Sequence, residues 1–339
     1  MKYNSRLSLS QPQFTLQSKV EYAKTRDGYG RGLVEAGVAN KNVIVLCADL
    51  SESTRSEWFA KEFPDRFVQM GVAEQNMATV AAGIAATGKI VFISSYAAFS
   101  PGRNNEQIRT TISYNSWGAD EDKKITVIIA GAHAGISVGP DGATHQALED
   151  VALMRVQPGM VVVVPTDLHE AQKATVALAQ RKGPAYIRFG RAEYPIITTE
   201  KTPFEIGKAF VYTEGKDATI VANGPLVHKA LCAASALAEQ GVVCEVINCP
   251  TVKPLDGETI ERSVRKTNAL VSAEEHQITG GLGSVLAEYL STHYPVPQEF
   301  IGVKDRFGES GTPDELFQRF EMDVVHIQEA VQRVIQRKS

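Results

Sequence analysis

The connection that follows the apolar run ITVIIAG (125–131) reads AHAGISVGPDGATHQALED and places His133, Asp141 and His145 in one glycine-rich loop. Two imidazoles and a carboxylate at such close spacing can exchange protons with a substrate and accept hydrogen bonds from its hydroxyls. A second chemical residue is Glu74, in GVAEQNM, set between the strand-like DRFVQM and the small-residue run ATVAAGIAATG. A carboxylate placed for close packing loses hydration and needs a partner. The ten residues after Glu74 hold no base, and the nearest base before it is Arg66. The partner therefore comes from a distant part of the chain or is not protein. Other strand-end segments add hydroxyls, guanidinium groups and rings: DLSESTRSE after 42–48, YAAFSPGR after 89–95 and Arg191 after 184–190. Taken singly each has a structural explanation. Tyr96 and Phe99, three apart, fill cores; a lone His133 serves as a hydrogen-bonded structural histidine; PDG followed by ATH makes a turn and a helix cap. Their joint occurrence at successive strand ends is what points to a site, because open α/β sheets bind ligands beyond the carboxyl ends of their strands.

The elements that position these residues are strands at 42–48, 89–95, 125–131, 160–165 and 184–190, all continuous β-branched runs rather than alternating ones. Such runs suit strands buried on both faces of a parallel sheet. Helical patterns lie between them at Glu21 to Gly37, Glu74 to Ala86, Asn104 to Tyr114 and Leu168 to Lys182. The pattern predicts an α/β, doubly wound domain. GYGRG (28–32) resembles a phosphate loop only superficially, since it follows no strand and sits inside a helical pattern. Residues 1–18 read as a polar arm, 19–195 as the first domain, and 196–206 as a linker in a proline- and threonine-rich stretch. A smaller α/β domain over 207–339 follows, with strands at ATIVAN, VVCEVIN, NALVSAEE and near Phe300, and a last helix running to Ser339.

The 339 residues, 43% of them hydrophobic, suffice for two well-buried domains. A net charge of -4 with both signs interspersed indicates neither a nucleic-acid footprint nor a basic membrane patch. Cys47, Cys232, Cys244 and Cys249 lie in apolar stretches without metal spacing, as reduced, buried cysteines do. No run has the length of a signal peptide core or a membrane span. The expectation is a soluble, cytoplasmic protein acting on small molecules.

Several separated segments together carry a family resemblance. MGVAEQNM, SSYAAFSPGRNNEQIR, AHAGISVGPDGATHQALEDVALMR and IRFGR resemble the pyrimidine-binding domain of transketolases. NCPTVKPLD, EEHQITGGLGS and DRFGESGTPDEL resemble the transketolase C-terminal domain, so the likeness runs from about residue 20 to the end. It implies that Glu74 hydrogen-bonds the aminopyrimidine N1' of thiamine diphosphate and promotes the imino tautomer that takes the C2 proton. It further implies that Phe99 packs on that ring, with Tyr96 as a second wall. By the same resemblance His145 stands near the reactive carbon, Asp141 accepts from the hydroxyl beside the carbonyl, and Arg26, Ser53, His133 and Arg191 hold a sugar's terminal phosphate. Guanidinium forks with neutral or cationic donors are suited to that grip.

One departure shapes the rest of the expectation. The GDG segment that holds the cofactor's diphosphate through Mg2+ (or Ca2+) in complete transketolases has no counterpart, since the only DG pairs occur in RDG, PDG and LDG. The resemblance thus implies the C-terminal subunit of a split transketolase, dimeric through its pyrimidine-binding domain. Two copies of a separate diphosphate-binding subunit would complete a heterotetramer. The β subunit of a 2-oxo acid dehydrogenase shares the layout but needs no phosphate clamp. A 1-deoxyxylulose-5-phosphate synthase shares the aspartate-glycine-x-threonine-histidine segment but is usually one long chain. A non-catalytic relative would be expected to have lost Glu74 or His145.

Overall fold

The computed structural model describes residues 1–338. The strands Val43–Cys47, Ile90–Tyr96, Val127–Ala132 and Ala185–Arg188 form the centre of a seven-stranded sheet and are buried along almost their whole length. Val161–Val163 and Phe67–Gln69 lie outside them, and all six are parallel. Parallel pairing sends every carboxyl end to one edge, so the connections after residues 47, 96, 132 and 188 meet there. One face of the sheet is covered by the helix Glu74–Ala86 through Met77, Ala78 and Ala81. The other is covered by Thr25–Ala39 and Leu168–Gln180 through Tyr29, Leu33, Ala174 and Leu178.

Those last two helices touch backbone to backbone. A methyl at Gly28 would stand 2.1 Å from the Leu168 carbonyl oxygen, and one at Gly32 2.6 Å from Thr175 Cβ. The GYGRG segment is a helix-packing surface, as its place inside a helical pattern predicts. The close approach seats the start of Thr25–Ala39, and with it Arg26, against the sheet edge. The expected helix from Glu21 begins later than its pattern suggests, because Tyr22–Lys24 pairs antiparallel with Glu193–Pro195.

The second sheet has the order Lys2–Tyr3, Phe210–Glu214, Cys244–Asn248, Ala218–Ala222, Leu270–Gln277, Gln298–Val303. Its first two pairings are antiparallel and the rest parallel. The segment expected to be a polar arm is therefore part of this second sheet, and Leu7 and Phe14 are buried in its core. Pro12 and the polar residues around it leave no sustained helix or strand period between these two anchors, which is why the pattern misses them. The stretch expected to be a linker is also held down, with Ile197 and Thr198 amides donating to Asp167 Oδ2 at 2.8 and 2.6 Å. Thr251–Lys253 leaves the second domain to pair antiparallel with Val161–Val163, so the two sheets share a strand's worth of hydrogen bonds. The helix expected over Asn104 to Tyr114 widens into a π-helical turn at Ile108–Ser113. The last helix spans Val324–Gln336, and Ser339 lies outside the described residues. No helix among the described residues is long and apolar enough to cross a membrane.

Candidate active site

Glu74 opens the helix Glu74–Ala86 and is only 4% exposed. The unpaired amides and dipole of a helix start favour a carboxylate there. Its protein partner is Arg103, whose Nη1 lies 3.3 Å from Oε1. Oε2 accepts no hydrogen bond from the described residues. Asn104, fully buried, fixes this corner by donating from Nδ2 to the Glu74 carbonyl at 3.2 Å and to Ser100 Oγ at 3.0 Å.

From Glu74 a line of planar groups crosses the sheet edge. The Arg103 guanidinium lies 4.1 Å over the Phe99 ring. Phe99 stacks on Tyr96 at 5.8 Å between ring centres, and Tyr96 stacks on His133 at 4.0 Å. His145 meets Phe99 and Tyr96 edge-on at 5.4 and 6.3 Å. Three strand ends supply these groups, and the stacking distances are those at which aromatic rings attract. The carboxylate marks one end of the line, and His133, flanked by the cationic Arg26 and Arg191, marks the other.

At that second end His133 is 2% exposed and holds a left-handed backbone, φ +53°. Burial pushes its imidazole pKa down to about 3, helped by the positive charges of Arg26 and Arg191, so the ring is neutral at ordinary pH. Its Nδ1 is buried and has no hydrogen-bond partner, and the same is true of Arg26 Nε. Arg26 Nη1 donates to the Ser53 carbonyl at 3.0 Å, and Arg191 Nη1 donates to the Val138 carbonyl at 2.9 Å. Buried polar nitrogens left without partners are costly. An anion with several oxygens would satisfy Arg26 Nε, and His133 as well with its ring proton on Nδ1.

Among the residues singled out in the sequence, Glu74, Tyr96, Phe99, His133 and His145 are joined through one continuous array, and Arg26 meets Ser53. Asp141 sits apart. It is exposed, and its side chain bonds to none of the described residues, while His145 Nδ1 pairs with Thr144 Oγ1 at 2.9 Å. Sequence reasoning missed Arg103, although its position in SPGRNNEQIR, just past a strand end, was the available signal. The arrangement offers a hydrogen-bond acceptor at Glu74 Oε2 and, linked to this carboxylate through Arg103, the face of the Phe99 ring, a pairing that suits a flat nitrogen heterocycle. Among the described residues, no group of three or more His, Cys, Asp or Glu is placed to hold a metal ion.

The transketolase pyrimidine binding domain family matches residues 21–196, and the transketolase C-terminal domain family matches residues 207–327. A Methanocaldococcus jannaschii protein described as a transketolase C-terminal section is 44% identical over 305 residues, 89% of this chain and 93% of its own. The 6-deoxy-6-sulfo-D-fructose transketolase subunit SqwH of a Clostridium species is 39% identical over 321 residues, 95% of this chain and 97% of its own. Among solved structures, a split gene transketolase described as an inactive beta4 tetramer superposes with a TM-score of 0.86 at 45% identity, covering 93% of this chain and 99% of that one. With both domains matched and close relatives aligned over nearly their full lengths, the chain belongs to the transketolase family and corresponds to the C-terminal subunit of its split members.

Proposed function

We propose that this chain, with a separate diphosphate-binding subunit, transfers a two-carbon ketol unit from a ketose phosphate to an aldose phosphate using thiamine diphosphate. The observation that carries the reading is the array itself, a ring-flanked buried carboxylate at one end and, at the other, Arg26 and Arg191 around a neutral His133, with unpartnered buried nitrogens on Arg26 and His133. A substrate lying along it would present its reacting carbon near Glu74, Phe99 and His145, and its phosphate to Arg26, Ser53, His133 and Arg191. When bound, thiamine diphosphate supplies an electron sink for breaking and forming the carbon–carbon bond. The chain's residues fit its pyrimidine half: Glu74 would hold or release a proton at the ring nitrogen facing it, and Phe99 would flank the ring. His145 would exchange protons with substrate hydroxyls, and Asp141 would accept from the hydroxyl beside the carbonyl. On this reading Mg2+ and the diphosphate are held by the partner, and two copies of each chain make a heterotetramer. Four free, buried cysteines suit work in the cytoplasm, and ketol transfer between sugar phosphates is the chemistry of pentose phosphate interconversion.

The test is Glu74→Gln in the reconstituted enzyme. The isosteric amide keeps the packing but cannot take the proton, so kcat should fall by about three orders of magnitude or more with cofactor affinity changed far less. Turnover near wild type with cofactor bound would remove Glu74 from the chemistry.

A further inference from the structure

The loop that carries Asp141 and His145 is built on the second domain. Gln146, buried and next to His145, points its Nε2 at three carbonyls: Ile136 at 3.1 Å, Gly139 at 3.3 Å and Glu309 at 2.8 Å. The first two belong to the loop itself, and the third to the segment after the strand Gln298–Val303. One amide group thus ties the two limbs of the loop to each other and to the second domain. At the loop's start, the Ser137 amide donates to Glu275 Oε1 at 2.7 Å, from the second domain's strand Leu270–Gln277. The Glu275 charge is offset by buried Arg188, whose Nη2 donates to the Glu275 carbonyl at 2.8 Å and to the Ala147 carbonyl at 3.2 Å.

Glycines make these contacts as close as they are. A methyl at Gly308 would stand 1.7 Å from Gln146 Oε1, one at Gly142 2.6 Å from Ser310 Oγ, and one at Gly135 2.3 Å from the Glu275 carboxyl carbon. The segment 308–311 is in turn fixed by the helix Pro313–Arg319, whose capping box joins Thr312 and Glu315. The first domain also holds the loop, through Tyr194 on Ser137 Oγ and Arg191 on the Val138 carbonyl, but Glu275 and the Glu309 carbonyl come from the second domain, and no second-domain side chain joins the ring array. Other contacts between the domains, such as Arg155 with Glu288 and Asn248 with Glu170, join elements away from the array. Those of Gln146 and Glu275 fall on the backbone flanking Asp141 and His145.

We propose that the second domain is the template for the substrate loop, with Gln146 and Glu275 as positioning residues that set where Asp141 and His145 stand. The proposal rests on the ketol-transfer reading for what those two residues do, but the template itself is a property of this chain. Gln146→Leu removes the shared donor at similar volume. Gly308→Ala, in the second domain, drives a methyl onto the same amide while leaving every residue of the array in place.

In the full chain, hydrogen–deuterium exchange at amides 135–145 should quicken by about tenfold or more in both variants, with Thr25–Ala39 and Leu270–Gln277 unchanged. In the enzyme reconstituted with its diphosphate-binding subunit, kcat/KM for a ketose phosphate should drop about 10- to 100-fold, mainly in kcat. The Kd of thiamine diphosphate with Mg2+ should stay within about twofold, because Glu74 and Phe99 are not on the loop. Unchanged loop exchange in both variants, or faster exchange spread over the whole chain, would overturn the template. An inactive wild-type complex would count against the ketol-transfer reading alone, since the exchange result stands without it.

Discussion

Arg103 shares itself between a carboxylate and a ring, pairing with Glu74 at 3.3 Å while lying over Phe99. Its side chain is about half exposed, so solvent screens the pair and its worth is well below that of a fully buried one. Arg103→Leu should therefore lower kcat by about tenfold rather than abolish it, and Arg103→Lys should recover part of the loss. Steady-state kinetics on the reconstituted enzyme decides, and an unchanged kcat in Arg103→Leu would make the pair incidental. At the far end of the array, Arg191→Ala should raise KM for phosphorylated donors by an amount on the order of 2 to 4 kcal/mol and leave a small unphosphorylated donor almost unaffected. Equal losses for both donors would mean that Arg191 acts only through its bond to Val138. The sequence made the residue types and their strand-end positions readable. It could not show which buried nitrogens lack partners, because that depends on contacts between segments far apart in the chain.

Among the elements, the helix pair Thr25–Ala39 and Leu168–Gln180 shows how a packing surface reaches the chemistry. A methyl at Gly28 meets the Leu168 carbonyl at 2.1 Å, so the two helices cannot keep their spacing with alanine there. Gly28→Ala should cost about 1–3 kcal/mol of stability. It should also raise KM for phosphorylated donors, since Arg26 rides on the same helix turn. Chemical denaturation and donor kinetics test the two halves, and an unmoved KM in a destabilised variant would uncouple the helix from the phosphate group. The strands were readable because each is a continuous apolar run, buried on both faces. Lys2–Tyr3 and Thr251–Lys253 were not, being two and three residues long and defined by what they pair with. The π-helical turn at Ile108–Ser113 was hidden too, because one extra residue in a turn leaves the apolar spacing nearly helical.

Across the whole molecule, buried titratable groups oppose one another in pH. Burial lowers the pKa of His133 to about 3 and those of His228 and His276 to about 4. The unfolded chain binds protons on these imidazoles near pH 6.5 while the folded chain refuses them, so stability should fall as pH drops from about 6.5 toward 4. Burial raises Glu170 to about 8 and Glu274 to about 7, with the Asp167 charge adding to the first. The stability these carboxyls contribute is present in full below their ordinary pKa of 4.5 and is lost as pH rises through 7 and 8. Melting temperature should thus peak between these limits. His228→Phe should flatten the acid side by up to about 1.4 kcal/mol per pH unit, the share of one proton. An acid limb of the same slope in that variant would show that His228 titrates normally in the folded chain.

The pairing of Lys2–Tyr3 with Thr213 and Glu214, and the seating of Phe14 in the second core, also set an order in time. Residues 2–14 leave the ribosome before residues 19–195 but belong to the sheet that is made after them. They must stay unpaired until their partner Phe210–Glu214 has followed, roughly 10 to 40 s later at ordinary synthesis rates. For that interval the first domain has to fold while tethered to an unsatisfied apolar segment. Closure of the second sheet over that segment then comes after the first domain has formed.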